Sequence, residues 1–341
     1  MCKKCIQHHI KCEYAESSLG PSSTPVRDRS LSPWSTSFQA ESASPCEHEP
    51  QKSVQENDDL LNVQLMHHFT TSTYKTLVTT PKQRSLWFIQ IPKLGFEHRY
   101  VLDMIFAVTA VHKSREAPSD PSHMAYAFRL YETSLKESSV ALSQISPANC
   151  DALYVFSVLA LVFELGTLRS RESLLFNHDG SLAHWIVNCR GIHAIIGSSW
   201  HDLTSGISKP MFECSLLDAG PEGIETHLEV FQSYIESEFS SEAAEVYLKA
   251  LSDLAHSSRL ANSGFFGWLC RFSNDYGDLL SQKDPYALII FGYSCVTLKH
   301  AGPVYWIKEC PERLLLEIYE HLNTSLRHWL LWPMTELGLV W

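Results

Sequence analysis

Residues 150–165 read CDALYVFSVLALVFEL. Apolar side chains occupy nearly every direction around a helix of this sequence, so the helix must sit inside a larger body rather than on its surface. The longest apolar runs, Leu153 to Phe163 and Tyr286 to Leu298, fall short of the roughly 20 residues that cross a bilayer. The expectation is therefore a soluble protein with no membrane span. A helix buried on all sides needs other helices to cover it.

The flanking sequence supplies them, with apolar residues at three-and-four spacing. Leu61, Leu65, Met66, Phe69 and Tyr74 open the series, followed by Val101, Ile105, Val108 and Val111, then by Tyr126, Leu130, Leu135, Val140 and Leu142. Further helices are predicted over about 182–196, 242–260, 263–281, 285–299 and 312–322. Asp284-Pro285 places a capping carboxylate before a proline in the first helical turn, and Pro311-Glu312 starts another helix in the same style. No stretch alternates with period two between hairpin turns, and no tandem repeat shows a fixed period. The fold class is all-α.

Composition limits what surrounds this body. In 341 residues the hydrophobic fraction is 45% and the net charge is −11. An acidic surface repels phosphates, so any nucleic-acid contact must come from a local basic patch. The first fourteen residues provide one: Lys3, Lys4 and Lys11 against Glu13. Residues 15–59 carry eleven serines and five prolines with scarcely any aliphatic side chain, which predicts a disordered linker. Three regions follow: residues 1–14, residues 15–59 and a helical body over residues 60–341.

Ten cysteines are present. Seven, from Cys46 to Cys310, are scattered and read as reduced, buried thiols of an intracellular protein, since no apolar export segment precedes them. The other three form C-x2-C-x6-C at Cys2, Cys5 and Cys12. Thiolates at this spacing suit zinc, but a closed tetrahedral zinc site needs four ligands and this segment brings three. His8, His9 or Cys46 are candidates for the fourth. An accidental cluster or a redox pair is the competing explanation, although the βαβ context of a thioredoxin-like site is missing.

Catalytic patterns are absent: no G-x-S-x-G, phosphate loop, dinucleotide glycine pattern or H-E-x-x-H. His178-Asp179-Gly180 reads as a turn. The chain is not expected to be an enzyme.

The segment from Met1 to Tyr14, MCKKCIQHHIKCEY, resembles the second half of the fungal binuclear zinc cluster, in which six cysteines hold two zinc ions. On that resemblance Cys2, Cys5 and Cys12 are metal ligands, Lys3, Lys4 and Lys11 are DNA-contact candidates, and the protein acts in the nucleus on RNA polymerase II promoters. The half that carries the DNA-reading helix has no counterpart here. Either an upstream exon has been omitted or the DNA-reading half has been lost. In the second case the chain would be an interaction module that modulates intact relatives by heterodimerising.

The body carries a resemblance as well. Leu65 to Tyr74 is similar to the opening helix of the regulatory domain in fungal sterol uptake control proteins. So are Trp185, Arg190-Gly191, Ile195-Ile196 and Ser198-Ser199-Trp200, and near the end Ala287 to Ile290, Tyr305-Trp306 and His328 to Pro333. The resemblance implies an all-helical domain that sets transcriptional output, a dimer, and a pocket for a hydrophobic ligand. After the paired aromatics, however, Ile307 to Pro311 lacks the family's glycines and carries Lys308 and Glu309, which counts against a sterol. Without the resemblance, Phe291, Trp306, Trp329 and Trp332 read as core, Phe265, Phe266, Trp268, Phe272 and Tyr276 as one buried face, and His67 and His68 as polar positions on the first helix.

Overall fold

The computed structural model describes residues 54–118, 121–168, 172–213, 221–260, 264–299 and 305–339. They belong to the larger of two units into which the chain divides, residues 52–341. The smaller, residues 1–51, lies outside the described residues, as does the expected linker up to residue 53.

Thirteen principal helices build this unit: α1 (Val54–Thr71), α2 (Ile91–Glu97), α3 (Arg99–Glu116), α4 (Ser122–Leu142), α5 (Cys150–Thr167), α6 (His184–Ser205), α7 (Ile224–Glu238), α8 (Ser241–Ser258), α9 (Gly264–Arg271), α10 (Asn274–Ser281), α11 (Pro285–Lys299), α12 (Cys310–His321) and α13 (Leu331–Glu336). Among the described residues the one β feature is a bridge between Phe176 and Leu182, so the all-α expectation holds.

Two hubs organise the packing. In the N-terminal part α3 touches α1, α2, α4 and α5. In the C-terminal part α11, buried from Ala287 to Leu298, is surrounded by α8, α9, α10, α12 and α13. Helix α6 links them, packing on α5 and on α9, and is kinked at Ser199. Helix α5 is long and apolar enough to cross a membrane, but 72% of it is buried inside the body. It is the central core helix that its sequence predicts.

Several boundaries differ from the sequence reading. Helix α1 starts at Val54, ahead of the expected body start at residue 60. Its first turns are anchored by polar contacts that a hydrophobic pattern cannot reveal: Arg129 Nη2 donates to Asp58 Oδ2 at 2.6 Å, and Tyr126 Oη donates to Asn62 Oδ1 at 2.6 Å. In α4, Leu135, Val140 and Leu142 are exposed rather than buried. The covered stripe runs through Tyr126, Leu130, Ser134 and Ser138. Small serines let α4 approach closely, and their hydroxyls donate back to the Leu130 and Leu135 carbonyls, so a polar residue type occupies a core position at no cost in unmet hydrogen bonds.

The predicted stretch 263–281 is two helices. Ser273 ends one and caps the next, its Oγ accepting from the Tyr276 amide at 3.2 Å. At α11 the expected cap is present: Asp284 Oδ1 accepts from the amides of Tyr286 (3.0 Å) and Ala287 (2.9 Å).

Candidate functional site

The zinc-ligand residues expected from sequence, Cys2, Cys5 and Cys12, and the basic residues Lys3, Lys4 and Lys11 all lie outside the described residues. So do the candidate fourth ligands His8, His9 and Cys46. Within the body, Cys150, Cys189, Cys295 and Cys310 are buried and Cys270 half-buried, all free thiols. Burial pushes the Cys310 thiol up to about 11, so it is an inert core group rather than a reactive one.

Two of the segments singled out in the sequence converge on one place. The end of the Leu65–Tyr74 stretch and the pair Tyr305-Trp306 both pack against His112 of α3. The Tyr305 and Trp306 rings lie 4.9 and 5.9 Å from the imidazole. Trp306 Nε1 donates to Thr76 Oγ1 at 3.0 Å, tying the distant aromatic pair to the turn after α1. Arg115 completes the junction. Its guanidinium donates to the Gly166 carbonyl at 3.0 Å, closing the C-terminal end of α5 where free carbonyls collect. It also lies over both aromatic rings, 5.4 and 5.2 Å from their centroids.

At the centre of this junction is a polar cluster. His68 Nε2 is 3.3 Å from His112 Nδ1, and Thr73 Oγ1 is 2.9 Å from the same Nδ1. The Glu116 carboxylate lies 3.7 Å from His68 Nε2 and 3.9 Å from His112 Nε2. Thr73 and His112 are buried, whereas the Glu116 side chain is 53% exposed. Burial lowers the pKa of both imidazoles, with Glu116 opposing it, so both rings favour the neutral, lone-pair-bearing form. Both His67 and His68 are polar positions on α1 as expected, but His67 is exposed whereas half-buried His68 turns into this cluster. His68 and His112 are 44 residues apart, so no local pattern pairs them. The four-residue spacing of His112 and Glu116 on α3 was the available signal.

The other singled-out residues serve packing. Trp185 Nε1 donates to the Leu174 carbonyl at 2.7 Å, and Arg190 lies over Phe272. Trp329 and Trp332 pack on α7 and α11 through Phe231, Tyr234 and Tyr293. Phe291 and Trp306 are buried. The His178-Asp179-Gly180 triplet is a turn: Gly180 takes φ 84°, and Asp179 accepts from Ser181.

Two open grooves mark the surface. One, of about 540 Å³, is lined by Phe176, His178, Lys283, Arg313, Glu317 and His321 among others. The other, of about 400 Å³, combines Phe239 and Val246 with Glu242, Asp275 and Asp278. Both are edged by charged side chains, unlike an enclosed apolar ligand cavity.

A helical body of this kind, preceded by a C-x2-C-x6-C segment, can be compared with known proteins. No protein-family model matches the chain. It is similar to a Zn(2)-C6 fungal-type transcription factor of Gibberella zeae, 24% identical over 313 residues, covering 82% of this chain and 62% of that protein. It is also similar to the Zn(2)-C6 fungal-type transcription factor afumD of Aspergillus fumigatus, 25% identical over 232 residues, covering 67% of this chain and 57% of that protein. Sterol uptake control protein 2 of Candida albicans is 30% identical over 152 residues, covering 43% of this chain and 20% of that protein. The homologues of this chain are thus Zn(2)-C6 fungal-type transcription factors, sterol uptake control proteins among them. The chain spans about three fifths of the length of the first two.

Proposed function

We propose that the chain is a zinc-cluster transcription regulator that acts in the nucleus, with a cysteine segment that meets DNA and a helical effector body. The observation that carries this reading is the similarity to Zn(2)-C6 transcription factors across 82% of the chain. Cys2, Cys5 and Cys12 would hold zinc, and Lys3, Lys4 and Lys11 would meet phosphates. The helical body would set output through a hydrophobic ligand or a partner, including a second copy of this chain. Because Lys308 and Glu309 follow Tyr305-Trp306 and both are exposed, a sterol is the less fitting ligand.

A gel-shift series over salt, run with the full chain, tests the DNA-binding part. Each neutralised phosphate contributes about −0.9 to the slope of log K against log salt, so three lysines give a slope no steeper than about −2.7. Weak binding with little sequence preference is expected. Nanomolar binding to one sequence would overturn that expectation. The effector part is tested by tethering the full chain to a reporter promoter through an unrelated DNA-binding domain. A change in reporter output is expected, and unchanged output would end that part of the reading.

A second reading, an interaction module that modulates intact relatives by heterodimerising, is favoured by one observation: three thiolates do not close a zinc site that needs four ligands. Copurification with an intact zinc-cluster relative supports it, and failure to associate removes it.

A further inference from the structure

We propose that His68, His112 and Glu116 form a binding site for one divalent transition-metal ion of the zinc class, joining α1 to α3. The site shares no residue with the cysteine segment and goes beyond the transcriptional reading. Each of the three residues can offer one ligand atom such that all three lie within 4.8 Å of one another. Two imidazoles and one carboxylate form a borderline donor set. Magnesium and calcium prefer oxygen cages, whereas zinc and its neighbours take nitrogen with oxygen.

The ligand atoms lie close enough for side-chain rotation to bring them to one ion. Tetrahedral bonds near 2.05 Å place neighbouring ligand atoms about 3.4 Å apart. The measured separations are 3.7 Å from His68 Nε2 to Glu116 Oε2 and 3.9 Å from His112 Nε2 to Glu116 Oε1. These separations run to different carboxylate oxygens. Binding one ion therefore requires the half-exposed Glu116 side chain to turn one oxygen toward both imidazoles, and His68 Nε2 to turn from His112 Nδ1, 3.3 Å away, toward the ion. Thr73 supplies the outer support that such a site requires. Its buried Oγ1, 2.9 Å from His112 Nδ1, can take the Nδ1 proton and leave Nε2 to the metal. The half-exposed Tyr305 ring lies edge-on to His112 at 4.9 Å. The exposed Glu116 side leaves room for water as the fourth ligand.

The test uses the full chain with Cys2, Cys5, Cys12 and Cys46 replaced by serine, which removes the thiolates proposed for the other zinc site. Cobalt(II) is titrated as the probe, and zinc is then used to displace it. One equivalent should bind with weak visible d–d absorption and without the intense near-ultraviolet band of thiolate ligation. Glu116→Gln and His68→Gln should each weaken binding at least ten-fold. Far-ultraviolet circular dichroism of Glu116→Gln, a change at a half-exposed position, should match the parent and separate ligand loss from unfolding. Failure of the serine-substituted chain to bind cobalt overturns the proposal. So does a thiolate band in that chain, or affinity unchanged by both substitutions.

Discussion

The junction around Trp306 depends on what is missing at one residue. Gly166, near the end of α5, has no Cβ, and one built there would lie 2.9 Å from two atoms of the Trp306 ring and 3.1 Å from Val111 Cγ1. Trp306 has little room to yield, because Thr76 and Arg115 hold it from other sides. Alanine in a helix interior normally gains about 0.5–1 kcal/mol over glycine, but overpacking costs about 1–3 kcal/mol. Gly166→Ala should therefore destabilise the body by about 1–2 kcal/mol, read from the urea midpoint; a stabilised variant would show that the ring moves freely. Glu164, one turn of α5 away from Thr167, makes a different point. Tyr131 Oη donates to its carboxylate at 2.7 Å, yet burial, the largest cause, raises its pKa. A carboxyl raised above its unfolded value favours the protonated native state. Its contribution is fully present below the unfolded pKa and is lost as pH rises through the folded one. Glu164→Gln keeps an acceptor for Tyr131 and carries no charge. Its stability relative to the parent should rise as pH climbs above the ordinary carboxylate range, and a pH-independent difference would show that Glu164 ionises without cost. Neither residue's role was visible in sequence, because each depends on a partner brought close only by folding: Trp306 for Gly166 and Tyr131 for Glu164.

Elements were more legible where one physical signal acted alone. Helix α11 was readable end to end, since Asp284-Pro285 sets its start and continuous apolar side chains demand burial on every side. Removing that start tests it. Asp284→Ala deprives the amides of Tyr286 and Ala287 of their acceptor, and loss of such a cap costs about 0.5–2 kcal/mol. Because Asp284 also acts on Tyr247 of α8, the upper half of that range is expected. A change in thermal midpoint indistinguishable from zero would mean that the proline alone fixes the helix start. Helix α4 was misread in its second half because buried serines look like surface residues and exposed Val140 looks like core. Helix α7 carries Ile224, Leu228, Phe231 and Ile235 on its buried face, an apolar spacing as regular as those singled out, and was overlooked. The cysteine segment was the clearest local signal of all, and its resemblance to half of a binuclear zinc cluster pointed to the same class of proteins as the comparisons.

Across the whole body, the legible part was the class of fold and the hidden part was how the two hubs are joined. Periodicity reports which face of a helix is covered but not which helix covers it. The join is made by α6, whose Trp185 donates to the Leu174 carbonyl on the α5–α6 connection and stacks toward Phe265 of α9 at 6.3 Å. Through it, one continuous set of buried apolar residues runs from Leu65 to Leu337. A body this long exceeds the roughly 150 residues below which single-step unfolding is usual, so cooperativity here is a specific consequence of that shared core. In urea, helix content by circular dichroism and tryptophan fluorescence should change together with one midpoint. The tryptophans sample both hubs and the join: Trp87 precedes α2, Trp185 begins α6, Trp268 lies in α9, and Trp329 packs on α7. If fluorescence and helix content separated into two transitions, α6 would be a hinge between independently stable halves rather than part of one core. Replacing Trp185 with phenylalanine removes the Leu174 bond while keeping an aromatic ring. The two signals should then part company in the variant while remaining coincident in the parent.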